Sequence, residues 1–255
     1  MIKVVRGLAP EGFQKRASQW RKGFAKARRG DPALSAGRFW SRVRREIQPD
    51  GVELCRRFHN KCVFCESRMK HVSNPHIEHY RPKGRKEFER LMFDWDNWLL
   101  SCGRCNEKKW THFPECNGQP CLLNPATEDP APHLDFLGAI VIGLSQRGDE
   151  TIRLVALDRS PLLYERAAWL LHVNTLLLLA CRADKEEIRK ETREHLIWTM
   201  QEDAPYSAMT KAYLAAKAPR LAHPDSPHSQ VDGTDRMNGI ESLVKRYSAD
   251  IKNLQ

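Results

Sequence analysis

Two cysteine pairs are the residues whose type and spacing most directly indicate chemistry in this sequence. They are Cys62-Val-Phe-Cys65 and Cys102-Gly-Arg-Cys105. A Cys-x-x-Cys turn presents two thiolates to one metal ion, and two such turns supply the four sulfur ligands of a closed tetrahedral zinc site. The alternative, buried thiols without a metal, does not explain why the spacing is repeated. We therefore predict a structural Zn²⁺ bound by Cys62, Cys65, Cys102 and Cys105.

The 36 residues between the two pairs contain two runs that predict short strands. Residues 77–83, Ile-Glu-His-Tyr-Arg-Pro-Lys, alternate apolar and polar side chains and end beside proline, which is typical of a strand that opens into a loop. Residues 95–101, Trp-Asp-Asn-Trp-Leu-Leu-Ser, predict a second strand, and residues 106–109 predict the beginning of a helix. Strand, loop, strand and helix, with thiolates at both ends, would form the rigid support that a catalytic group of side chains needs.

The order of these motifs resembles the ββα-metal (His-Me finger) fold of HNH nucleases. The resemblance covers residues 62–110. It depends on the two cysteine pairs, on Glu78-His79 at a strand end, on Asn97 before the second strand and on the Asn-x-x-Lys motif, Asn106 to Lys109, after the second pair.

A wider set of motifs resembles the PtuB-like family, the HNH effectors of Septu and retron anti-phage systems. The motifs are Glu78-His-Tyr-Arg-Pro-Lys, Trp98-Leu-Leu-Ser-Cys, Phe113-Pro114, residues 122–133 and residues 151–159. The sequence departs from the family pattern at Asp158, where asparagine is expected, and Cys116 and Cys121 are additional.

The HNH resemblance implies a role for each residue of the central motif. His79 would be the general base, because a neutral imidazole accepts a proton near pH 7. Glu78 and Asn106 would ligate a catalytic Mg²⁺ or Mn²⁺ and leave positions open for water and phosphate. Asn97 would hold the loop and the His79 ring by side-chain hydrogen bonds. Candidates for contacts with nucleic-acid phosphates are Arg81, Lys83 and Lys108.

For the whole chain, the family resemblance implies an endonuclease that hydrolyses DNA and works with an ATPase partner in anti-phage defence. We expect this partner to dock on the C-terminal helices, where an apolar stripe comprises Trp169, Leu170, Val173, Leu176 and Leu177. Such a stripe also fits an intramolecular core. The alternative function is a zinc knuckle that binds nucleic acid without cutting it, which would not require Glu78, His79 and Asn106.

The charge of the chain is unevenly distributed. The formal net charge is +10, and residues 1–110 contain 26 Lys and Arg against 12 Asp and Glu, whereas residues 111–255 contain 16 against 20. A basic half favours a polyanionic partner such as nucleic acid, and a solvated basic surface is the alternative. Residues 10–27 and 32–47, where aromatic and basic side chains alternate, each predict a helix.

We expect an α+β fold, with a small ββα core between two helical regions. The predicted regions are a basic helical region at 1–54, an HNH core with its zinc knuckle at 55–130, and a hairpin with further helices at 131–255. In the last region, residues 139–143 and 151–155 predict the two strands of the hairpin, and residues 162–180, 185–201 and 207–216 predict helices. The polar residues 223–238 predict a mobile segment.

The sequence indicates a cytoplasmic protein without a membrane partner. No cleavable apolar segment lies near the N-terminus, and the most apolar segment, residues 167–181, is too short and too polar to span a bilayer. In a reducing compartment all eight cysteines should be thiols or metal ligands rather than disulfides. We expect Cys55 and Cys181 to be packed thiols. Whether Cys116 or Cys121 adds a zinc ligand stays open.

Overall fold

The computed structural model describes residues 1–69 and 75–221. The chain folds into two compact units. The first comprises residues 1–134 and 142–159, and the second comprises residues 135–141 and the described residues from 160 onward. Helices and small two-stranded sheets occur together, which confirms the predicted α+β class. The predicted mobile segment at residues 223–238 lies outside the described residues.

Two long helices begin the first unit, α1 (Phe13–Gly30) and α2 (Ala36–Arg57). The hydroxyl of Ser35 caps α2 by accepting the backbone N–H of Arg38. The predicted end of α2 at residue 47 is wrong, because buried side chains continue at helical spacing to Leu54 and the helix runs through Pro49.

An aromatic core joins these helices to the segment between the cysteine pairs. The Phe13 ring of α1 is fully buried and lies 5.1 Å from the ring of Trp98 and 5.4 Å from that of Trp95. Trp40 of α2 lies 5.4 Å from Trp98 as well. These edge-to-face contacts fix both helices against the strand that contains Trp98.

That strand belongs to the ββα element that the sequence predicted. Strand β1 (His76–His79) pairs antiparallel with β2 (Trp98–Ser101), with His79 opposite Trp98. Helix α3 (Gly103–Lys109) follows directly. Two 3₁₀ helices, Lys86–Leu91 and Trp95–Asn97, lie in the connection between the strands, and every residue of β2 is buried.

The strands that follow the ββα element correct the predicted hairpin. Short strands β3 (Glu115–Cys116) and β4 (Gln119–Pro120) pair, and β5 (Leu134–Leu137) pairs with β6 (Ile140–Gly143). Residues 139–143 are therefore largely a strand, but residues 151–155 are not its partner.

Residues 151–155 lie in helix α4 (Gln146–Val155). The Ser145 hydroxyl caps this helix by accepting the N–H of Gly148. The buried residues Gly148, Thr151, Leu154 and Val155 recur at helical rather than strand spacing. The strand prediction failed because it considered the β-branched side chains of these five residues and not the Ser145 cap that precedes them.

The described part of the second unit contains α5 (Ser160–Arg182), α6 (Glu186–Trp198) and α7 (Ser207–Leu221). Its core comprises Val173, Leu176, Leu177, Ala180, Leu196, Met200 and Leu214. The apolar stripe predicted as a docking surface is therefore mostly part of this core, and Trp169 donates a hydrogen bond to Thr210 within it. None of the described helices is both long and apolar enough to cross a membrane.

Candidate functional site

The four cysteines of the two pairs form one buried cluster in the first unit. All four sulfur atoms lie within 4.8 Å of one another, and the Cys65 and Cys102 sulfurs are 3.8 Å apart. Tetrahedral zinc with Zn–S bonds of about 2.3 Å requires sulfurs about 3.8 Å apart. The cluster therefore has the ligand type and the spacing to hold a metal such as zinc.

The cluster is where α2, β2 and α3 meet. The first cysteine turn follows α2, and its Val63 N–H donates to the carbonyl of Leu100 in β2. Cys102 is the N-cap of α3, and its sulfur accepts the N–H of Cys105 at 3.5 Å. A metal in the cluster would hold these three elements together through four bonds.

Outside the ligands, Arg159 lies against the cluster. Its guanidinium is 3.6 Å from the Cys105 sulfur and donates to the carbonyl of Ala156 at 2.8 Å. A cation beside metal-bound thiolates offsets their negative charge. Sequence reasoning did not single out this residue.

The four cysteines outside the cluster comprise one disulfide pair and two thiols. Cys116 and Cys121 form a disulfide across the β3–β4 hairpin, so the prediction that all eight cysteines are thiols or metal ligands is wrong for this pair. The hairpin explains the pairing, because it brings the two Cα atoms to 5.0 Å. Cys55 and Cys181 are half-buried thiols outside the four-cysteine cluster.

Glu78 and His79 occupy the end of β1, and both side chains are buried. The Glu78 carboxylate accepts a hydrogen bond of 2.6 Å from the ammonium of Lys109, which is itself fully buried at the end of α3. The same ammonium donates to the backbone carbonyl of His79 at 2.7 Å. Burial raises the pKa of Glu78, and the charge of Lys109 opposes that rise.

The His79 imidazole is held in one orientation and one tautomer. Its Nε2 lies 2.9 Å from the carbonyl of Met92, so Nε2 carries the proton and Nδ1 keeps its lone pair. The Lys83 ammonium lies 3.4 Å from Nδ1, and the Trp40 ring packs edge-on at 4.6 Å. Burial first, and the charge of Lys83 second, hold the pKa of His79 well below its ordinary value. The ring is therefore neutral near pH 7 and able to accept a proton at Nδ1.

Asn97 closes the loop that follows β1. Its amide nitrogen donates to the carbonyls of Arg81 and Leu91, at the two ends of the loop, at 3.0 and 3.2 Å. Its amide oxygen accepts the N–H of Arg81 at 2.7 Å. The side chain is buried. Every polar atom of this amide thus fixes the backbone that carries Lys83 and Met92 past the imidazole.

The remaining predicted residues lie around this group. Asn106 is half-buried on α3, one turn before Lys109 and on the same side of the helix. In the described chain, the side chain that contacts Glu78 is Lys109 rather than Asn106. Lys83 is half-buried beside His79, whereas Arg81 and Lys108 are exposed.

Two oxygen-bearing side chains could hold a divalent cation here, which is a small set of ligands but one of suitable chemistry. Glu78 offers carboxylate oxygen and Asn106 offers amide oxygen, both suited to Mg²⁺ or Mn²⁺, with the other positions left to water and phosphate. The carboxylate already has a cationic partner in Lys109.

Sequence reasoning assigned no role to three contributors to the site: Lys109, which it noted only as the end of the Asn-x-x-Lys motif, Trp40 and the Met92 carbonyl. The spacing from Asn106 to Lys109, three residues on one helix face, was a usable signal for the lysine. Nothing in the local sequence marks Trp40 or Met92, because their contacts with His79 depend on how α2 and the loop pack.

Comparison with known proteins finds two relatives, both named Septu protein PtuB. The chain is 34% identical over 138 residues to the protein from Bacillus mycoides strain KBAB4, covering 43% of this chain and 47% of that protein. It is 34% identical over 101 residues to one from Bacillus thuringiensis, covering 39% of this chain and 37% of that protein. The chain thus matches less than half the length of each. No protein-family profile and no solved structure matches the chain.

Removing one ligand tests the metal cluster. We expect the wild-type protein to contain about one tightly bound zinc per chain, and Cys62→Ser to lose that zinc and to unfold or aggregate, because the metal contributes to folding. Plasma mass spectrometry of gel-filtered protein measures the metal. The matched control is Cys181→Ser, which changes a thiol outside the cluster and should keep the zinc. A folded Cys62→Ser with the zinc content of the wild type would contradict the assignment.

Proposed function

We propose that this protein is a metal-dependent endonuclease of the HNH type that hydrolyses DNA. The observation that carries the proposal is the His79 imidazole, which is neutral, fixed by the Met92 carbonyl and adjacent to Glu78 at the end of β1. A side chain in this state is suited to remove a proton from water. The order β1, β2, α3 and the four-thiolate cluster support the HNH class.

The reaction follows from the groups around His79. Nδ1 would take a proton from water, the hydroxide would attack phosphorus, and the bond to the 3′ oxygen would break, with that oxygen leaving on the side opposite the attack. Lys83 lies at Nδ1 in the resting site, so it would turn toward the scissile phosphate when water enters. Asn97 would keep the loop still during this exchange.

A divalent cation bound by Glu78 and Asn106 would supply electrostatic stabilisation of the phosphate and of the departing oxygen. The protein's own contribution is to hold those two oxygen ligands on β1 and α3. Arg81 and Lys108, both exposed, would contact neighbouring phosphates.

The biological role we propose is anti-phage defence together with an ATPase partner. It is supported by the similarity to the two Septu PtuB proteins. The predicted docking stripe does not serve this purpose because it lies mostly in the core of the second unit. Helix α5, which contains that stripe, also carries the exposed large apolar side chains Tyr164, Leu171, Leu178 and Leu179.

A second candidate, a zinc knuckle that binds nucleic acid without cutting it, is favoured by one observation. Helix α2 carries Arg38, Arg42, Arg44 and Arg45, which are exposed and make no ion pair within the described residues. By contrast, the exposed Arg56 near the end of the same helix and the exposed Arg153 of α4 are paired with glutamates. Unpaired arginines in a row suit a phosphate backbone whether or not the protein cuts it.

Plasmid nicking separates the two functions. We expect the wild-type protein to nick supercoiled DNA in Mg²⁺ or Mn²⁺, and His79→Ala to be slower by about 10²–10⁴-fold, the usual effect of losing a general base. The control is His112→Ala, which changes an exposed histidine and should nick like the wild type. Equal nicking by the wild type and a folded, zinc-loaded His79→Ala would end the catalytic assignment. Binding without nicking by the wild type would favour the zinc knuckle.

The contribution of α2 is measurable as salt dependence. Replacing Arg42 and Arg45 by Gln should weaken DNA binding and reduce the slope of log Kd against log salt by about 0.9 for each phosphate that the protein no longer neutralises. Fluorescence anisotropy of a labelled duplex at several salt concentrations gives both quantities. The matched control is the Arg56→Gln and Arg153→Gln double variant, whose arginines are exposed but paired. Identical slopes for the two double variants would exclude Arg42 and Arg45 from the interface.

A further inference from the structure

The buried lysine at the end of α3 has a place in the site that the proposed reaction does not use. Lys109 is fully buried, and its ammonium donates to Glu78 Oε1 at 2.6 Å and to the His79 carbonyl at 2.7 Å. A buried ammonium without partners would be strongly destabilising. These two contacts account for its burial, and they hold both residues of the Glu-His dipeptide from one atom.

The positive charges around Glu78 oppose the binding of a divalent metal ion. Lys109 neutralises the Glu78 carboxylate, and the Lys83 ammonium lies 3.4 Å from the neighbouring imidazole. A divalent ion that approached Glu78 would meet two ammonium groups and one carboxylate in a region of low effective dielectric, where like charges repel strongly. A phosphate group entering with the ion would reverse that balance.

We propose that Lys109 is a positioning residue that serves as the resident counter-ion of Glu78 and keeps the affinity for free divalent cations low. This inference rests on the proposed function in taking Glu78 as a ligand of the catalytic cation. In the absence of nucleic acid, Lys109 holds the carboxylate and the end of β1 in place. The cation binds firmly only with a phosphate, so the resting protein is a latent enzyme at ordinary concentrations of free metal.

The test is Mn²⁺ binding to zinc-loaded protein without DNA, measured by isothermal titration calorimetry. Lys109→Met, which keeps the length of the side chain and removes its charge, should bind Mn²⁺ at least about tenfold more tightly than the wild type, because a repelling charge beside the carboxylate is gone. A double variant, Lys109→Met with Glu78→Gln, should lose this gain. The matched control, Lys86→Met, removes an exposed charge from the connection between β1 and β2 and should leave the Mn²⁺ affinity unchanged.

If Lys109 served only to stabilise the fold, Lys109→Met would loosen the site and bind Mn²⁺ more weakly than the wild type. Unchanged or weaker binding by folded Lys109→Met therefore overturns the proposal. If this variant is unstable, its thermal unfolding with and without millimolar Mn²⁺ carries the same test. A larger rise in Tm than the wild type shows supports the proposal, and no rise overturns it.

The outcome is separate from that of the nuclease proposal. Tighter Mn²⁺ binding by Lys109→Met, with no nicking by the wild type, would keep Lys109 as the counter-ion of a cation site and remove the nuclease. Nicking by the wild type with unchanged Mn²⁺ affinity would keep the nuclease and remove this role of Lys109.

Discussion

The convergence of four cysteine sulfurs is the constraint on which the rest of the first unit depends. Strands β1 and β2 have four residues each and, among the residues that the structure describes, pair only with each other. An isolated two-stranded hairpin is at best marginally stable in water. Thiolates bound to one metal would join the turn after α2, the end of β2 and the start of α3. The aromatic contacts of Phe13, Trp40 and Trp98 then hold the other side of β2. The β1–β2 hairpin is therefore held on two sides, by the cysteine cluster and by the aromatic contacts.

The polar side chains of the candidate site, which this hairpin carries, lie where water has limited access. Glu78, His79, Asn97 and Lys109 are all buried, and each has a polar partner close enough to offset its desolvation. Such a network keeps its geometry because breaking any one hydrogen bond leaves a buried polar group unsatisfied. The same burial lowers the pKa of His79 and so keeps the imidazole unprotonated near pH 7. Under the proposed function these side chains would serve both folding and catalysis, and substitutions at these positions should lower stability as well as nicking activity.

Sequence patterns predicted those parts of the fold that depend on local spacing. The repeated Cys-x-x-Cys motif, the positions of β1, β2 and α3, and the helices of the second unit follow from periodicity and ligand chemistry. Patterns failed where a contact outside the short motif itself decides the outcome. The segment containing Thr151 was assigned to a strand, although the Ser145 cap makes it a helix, and the Cys116–Cys121 disulfide depends on a hairpin of two-residue strands. The pairing of Lys109 with Glu78 joins residues 31 positions apart, which no local pattern reports.

Zinc K-edge X-ray absorption of the purified protein measures the central feature most directly, because it reports the atoms bonded to the metal. We expect a single shell of four sulfur atoms at about 2.3 Å, the signature of a closed four-thiolate site. A shell containing nitrogen or oxygen at about 2.0–2.1 Å, or a folded protein that contains no zinc, would mean that the four cysteines do not hold the hairpin and helix together.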